Sequence, residues 1–178
     1  MVEAAGQASI IDRMIRAARL DPQVYEEVEH DQSATGQAML VVVLGAIAAG
    51  IGVLYGGVIA LIVGIVAALV GWAAYAFIAY WVGTNFFKGP RTEATWGELL
   101  RTLGFASSPR VLLILGIIPV VGLLIGLAVF VWMLITTVIA IRQALDFDTG
   151  RAIATAVVSW LALLVVSFVV TAIVASAL

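Results

Sequence analysis

Cysteine is absent from this 178-residue chain, so neither a disulfide framework nor thiol chemistry is open to it. Histidine occurs once, as His30, and a lone histidine with no cysteine beside it makes a poor metal-ligand set. Charge is scarce as well. Only 11% of the residues are charged, against about 25% in an ordinary soluble domain. Between Asp31 and Lys88 there is no charged residue at all. No Ser/His/acid trio, phosphate-cradling loop or intramembrane carboxylate can be assembled, which excludes the common nucleophilic, phosphoryl and proton-relay chemistries. No enzymatic activity, cofactor, metal or nucleic-acid partner is expected. A cleaved signal peptide is not expected either. Acids and bases mix through Asp31, where a leader would run from a short basic region into an apolar core.

What is there is apolar: 63% of the residues are hydrophobic, with a mean hydropathy of +1.16. A membrane-crossing helix needs about 20 such residues. Residues 35–54 and 57–82 form two spans, with Tyr55-Gly56-Gly57 as the turn and an aromatic belt of Tyr80, Trp81, Phe86 and Phe87. The third span begins amphipathically, with Trp96, Leu99, Leu100 and Leu103 on one face. Pro109 should break that helix, and Pro119, beside Gly116 and Gly122, should break the chain again. Residues 120–141 and 152–177 complete the set. Read as one helix, residues 111–141 would be about 46 Å long against a hydrocarbon core of about 30 Å.

Charge placement supports five spans. With five, every basic residue outside the spans falls on one side of the membrane, and the opposite face carries no charged side chain. The positive-inside rule then puts the N-terminus in the cytoplasm and the C-terminus outside. The expected fold is an all-α polytopic membrane helix bundle with five transmembrane helices, a broken third span and an amphipathic N-terminal helix. Residues 1–33 form a cytoplasmic amphipathic and acidic segment, and residues 34–178 the membrane domain. Abundant Ala, Val, Gly and Arg point to a bacterial chain of the cell inner membrane.

The candidate functional residues follow from this layout. Ile10, Ile11, Met14, Ile15 and Ala18 make an apolar face, with Arg13, Arg16 and Arg19 largely elsewhere. That pattern suits a helix on an anionic membrane surface, or one packed on its neighbours. Asp21-Pro22 starts a second helix, carrying Glu26, Glu27 and Glu29. Arg110 lies inside a span that offers no acidic partner. It reaches headgroups, bonds carbonyls freed by Pro109, or holds an anionic ligand. Ser107 and Ser108 are placed to satisfy backbone groups at the break. Gly52 with Gly56, and Gly122 with Gly126, allow close helix approach within the monomer or across a dimer. Thr155, Ser159, Ser167 and Thr171 make a small-polar stripe suited to packing.

Gly104-Phe105-Ala106-Ser107-Ser108-Pro109 resembles the Gly-Tyr-x-x-x-Pro motif in the third span of the Yip family, five-span membrane proteins known as interactors of Rab-type GTPases. Trp96-Gly97-Glu98-Leu99-Leu100-Arg101 ahead of it, and the end of the fourth span, agree with the wider pattern. The chain is similar to bacterial members over roughly residues 34–178. Phe105 stands where the family has Tyr, and Asp21-Pro22-Gln23-Val24-Tyr25 does not match the Asp-Leu-Tyr-Gly-Pro element of eukaryotic members, so small-GTPase binding is not carried over. The resemblance implies a non-enzymatic scaffold, adaptor or accessory subunit working on the bilayer, on other membrane proteins or as a homo-oligomer. The alternative is a small transporter or channel that binds an anionic solute or lipid headgroup near Arg110.

Overall fold

A computed structural model of the protein describes residues 9–53, 57–90, 92–118 and 120–177. Every element among them is helical: α1 (Ile10–Ala18), α2 (Pro22–His30), α3 (Ala34–Val53), α4 (Gly57–Phe86), α5 (Trp96–Ala106), a 3₁₀ segment (Ser108–Ile117), α6 (Val121–Ala144) and α7 (Thr149–Ala177). Five stretches are long and apolar enough to cross a membrane: α3, α4, α5 with its 3₁₀ continuation, α6 and α7. The protein is an all-α membrane bundle. Tyr55, Gly56, Arg91 and Pro119, which the sequence places in turns and loops, lie outside the described residues.

Polar signals set the short helices. Ser9 caps α1 and Asp21 caps α2, each side chain accepting a backbone N–H, and Pro22 opens α2. At the end of α1, Leu20 adopts φ 65°. Its N–H donates to the Ala17 carbonyl and that of Asp21 to the Arg16 carbonyl, a Schellman closure built without glycine. Leu20 borders an open apolar groove with Leu124, Leu127 and Trp132 of α6. The same closure ends α6, where Asp146 takes the left-handed position at φ 52°. Thr95 and Glu98 form a reciprocal capping box that starts α5. The second span runs one turn past its expected end, because Thr84 and Asn85 turn their side chains back onto the Tyr80 and Trp81 carbonyls and nothing breaks the helix before Phe86.

The core is not the middle of the long helices. It is a cluster around α5, where Leu99 and Phe105 are fully buried together with Val24, Tyr25 and Val28 of α2, Ala38 and Val41 of α3 and Ile141 of α6. The long spans instead expose large apolar side chains, such as Ile59, Val70, Leu123 and Phe168, as surfaces facing acyl chains do. The amphipathic α5 is therefore an interior helix. Arg101 and Thr102, off its apolar face in sequence, are buried too. Arg101 finds its partners in the last carbonyls of α2, and the Thr102 hydroxyl donates to the Glu98 carbonyl at 3.0 Å.

Candidate functional site

Pro109 ends α5 and sets up the accounting at the break. In a continuous helix the N–H of residue 109 would bond the Phe105 carbonyl, and proline has none. The Ser108 hydroxyl donates to that carbonyl instead, at 2.6 Å. The Ser107 hydroxyl donates to the Gly104 carbonyl, also at 2.6 Å. The Arg110 N–H tightens to the Ser107 carbonyl, which frees the carbonyl of Ala106. Thr136 of α6 takes it, its hydroxyl 2.8 Å away. Three hydroxyls thus satisfy three carbonyls in the apolar interior, where each unpaired group costs several kcal/mol. Sequence reasoning found two of the three. Thr136 was missed because its partner lies 30 residues away.

Gly104 is held by contact. A Cβ there would sit 2.6 Å from the Cβ of Ala38 and 3.1 Å from its backbone, so α5 crosses α3 at a distance only glycine permits. Phe105 is wholly buried, and a ring without a hydroxyl needs no polar partner there. Gly122 meets the Gly116 backbone, with a Cβ only 2.6 Å from its carbonyl oxygen. Gly126 meets nothing within 4 Å. Gly56 is outside the described residues. Gly52 lies within α3, and what surrounds it is not described. In α7, Thr155 and Ser159 are fully buried, and their hydroxyls have no hydrogen-bond partner among the described residues.

Arg110 is different from everything around it. Its stem packs on Gly45, near the middle of α3, where a Cβ would come within 2.9 Å of the Arg110 Cβ. The side chain is half-buried and makes no hydrogen bond or ion pair among the described residues. The carbonyls freed by Pro109 are already taken, and α5 is buried against the rest of the bundle. The arginine borders a cavity of about 240 Å3 shared with Trp72, Tyr75, Ser107 and Thr137. Trp72 donates to the Leu100 carbonyl and Tyr75 to that of Ala156, so the aromatic walls are fixed across α5 and α7.

At the charged end, α1 and α2 form a hairpin clamped to the bundle. Arg13 is buried and donates to Asp31 at 2.8 Å and to Gln37 of α3 at 3.0 Å. Arg16 joins Asp21 and Glu27, each at 2.8 Å, and the Arg16 hydrogen bond, with the Gln23 N–H, holds the Asp21 carboxyl below its ordinary range. Arg19 alone of the three is exposed. Trp132 donates to the Ala18 carbonyl and Gln143 to Glu26, tying the hairpin to α6. The Arg101 guanidinium donates to the Val28 and Glu29 carbonyls, a cation at a helix C-terminus. Burial, then the charges of Glu26 and Glu98, push the Glu29 carboxyl up to about 7. Glu26, Glu29 and His30 lie close enough to share a cation, but His30 Nδ1 already bonds the Glu26 carbonyl. The hairpin leaves Ile11 and Ile15 exposed, at 65% and 47%.

The comparisons with known proteins agree with this architecture. The chain matches the Yip1 domain family over residues 20–171, from the end of α1 into α7. No curated protein and no solved structure matches it. A match over that much of the chain, on a five-span bundle whose third span breaks at Gly104–Pro109, assigns it: the protein belongs to the Yip1 domain family.

Proposed function

We propose that the protein is a non-enzymatic membrane adaptor, which organises other membrane proteins or the bilayer through its charged end. The exposed ridge of Ile11 and Ile15 carries this reading. It stands on a hairpin closed by its own ion pairs and fastened to the bundle by hydrogen bonds to Gln37, Trp132 and Gln143, and it remains uncovered among the described residues. Large apolar side chains left uncovered beside charged ones mark a surface that meets a partner or a membrane. The charge distribution supports an inner-membrane protein with a cytoplasmic N-terminus and an outer C-terminus. Recovery from native membranes in mild detergent, with mass spectrometry of proteins and lipids, tests the reading. Replacing Ile11→Asp and Ile15→Asp together should release the partners recovered with the parent protein and leave its thermal midpoint in place. Unchanged recovery would sink it.

A second reading rests on Arg110, which borders a cavity and makes no side-chain hydrogen bond or ion pair among the described residues. In that reading the bundle binds, and as a transporter or channel passes, an anionic solute or lipid headgroup.

A further inference from the structure

The Arg110 cavity does not stand alone. Tyr75, Met133 and Thr137 line it and also line a second cavity of about 470 Å3 between α6 and α7. That second cavity is an apolar trough. Its walls include Phe130, Leu134, Val157 and Trp160, which are exposed on the surface the bundle turns to acyl chains. From Ile153 to Leu163 it follows α7 for about 15 Å. A cation at one end, an apolar trough at the other and three shared residues between them describe the two ends of an amphiphile.

We propose that this composite site binds a lipid with one compact anionic head, a carboxylate or a phosphate, and a single hydrocarbon chain. The head pairs with Arg110, and the chain lies in the α6–α7 trough. Three observations fix the class. The Arg110 side chain makes no hydrogen bond or ion pair among the described residues, and a cation inside a span calls for a partner. The Arg110 cavity, at about 240 Å3, falls below the usual range for drug-sized ligands, about 300–1,000 Å3, so it suits a small head and not a sugar or a bulky diester. The trough opens sideways to the lipid-facing surface, so the ligand enters from the bilayer. The proposal deepens the Arg110 reading above and needs no passage across the membrane.

Trp160 in the trough supplies the assay. Dibrominated stearate, in which bromine on the chain quenches a tryptophan it touches, is titrated into the purified full-length protein in detergent at alkaline pH. Dibrominated stearyl alcohol and inorganic phosphate are the parallel arms. Trp160→Phe identifies the part of the quenching that belongs to the trough. The acid should quench that part with an affinity about tenfold above that of the alcohol, the ratio a charge-assisted head contact supplies. Arg110→Gln should bring the acid down to the alcohol. Equal quenching by acid and alcohol overturns the proposal in the parent protein alone, whether or not the arginine variant folds. Displacement of the acid's head by phosphate, with no contribution from the chain, overturns the amphiphile and keeps an anion site. No response to acid or phosphate removes both.

Discussion

Gly104 shows how a single residue sets the geometry of the third span. Its missing side chain lets α5 lie against the Ala38 backbone. Gly104→Ala puts a methyl 2.6 Å from the Ala38 Cβ and should lower stability by about 1–3 kcal/mol, read as a lower thermal midpoint in detergent. Glu29 works through charge. An acid raised to about 7 binds more protons folded than unfolded, so its contribution falls as pH climbs from its ordinary value of 4.5 through about 7. His30, raised by its bond to the Glu26 carbonyl and by Glu29, also favours the acidic side. The protein should therefore be more stable near pH 5 than near pH 8. Glu29→Gln should flatten that dependence, and a slope unchanged in the variant would refute the assignment.

Among the elements, the 3₁₀ segment is the unusual one, because such runs seldom exceed 3–4 residues. Its rise of about 2.0 Å per residue, against 1.5 Å in an α-helix, lets ten residues gain about 5 Å of reach. Thr136 holds its start. Thr136→Val should leave the Ala106 carbonyl unpaired in the interior and cost about 1–3 kcal/mol, measured by thermal unfolding. Arg101 does the same for the α1–α2 hairpin. Arg101→Leu removes the donors to the Val28 and Glu29 carbonyls, and trypsin should then cut faster at Arg16 and Arg19 while the spans stay whole. Much of this element plan was legible in the chain. Asp21-Pro22, the uncharged run to Lys88 and Pro109 mark helix starts, spans and the break by local chemistry. Thr95 and Glu98 mark the start of α5 in the same local way, as a capping box. The burial of α5 was not legible. Its polar face meets α2 carbonyls and α6, and no pattern local to residues 96–106 records those partners.

At the scale of the whole molecule, long helices that expose apolar side chains to lipid surround a short buried helix and carry a charged hairpin at one end. The five spans could be counted from the chain because hydrocarbon thickness fixes their length and the charges sort to one side. The surroundings of Arg110 could not. The cavity joins α3, α4, α5 and α6, and Gly45, which brings the arginine against α3, carries no signature of its own. Reporter fusions after Asp31, within residues 83–95 and within residues 142–151 should all lie in the cytoplasm, and one after Leu178 outside. A cytoplasmic C-terminus would remove the five-span arrangement.

The adaptor account makes the broken span a matter of shape, and Pro109 and Arg110 separate shape from ligand chemistry. Pro109→Ala restores an N–H that competes with the Ser108 hydroxyl for the Phe105 carbonyl, draws the 3₁₀ segment toward α-helix and shifts its contacts with α3 and α6. Arg110→Leu removes a cation from the interior and leaves the break intact. The most direct measurement is recovery of native membrane partners, beside thermal stability, for the two variants. The account predicts that Pro109→Ala loses protein partners and stability while Arg110→Leu keeps both. Loss of native protein partners on Arg110→Leu alone, with the fold intact and Pro109→Ala still competent, would contradict it.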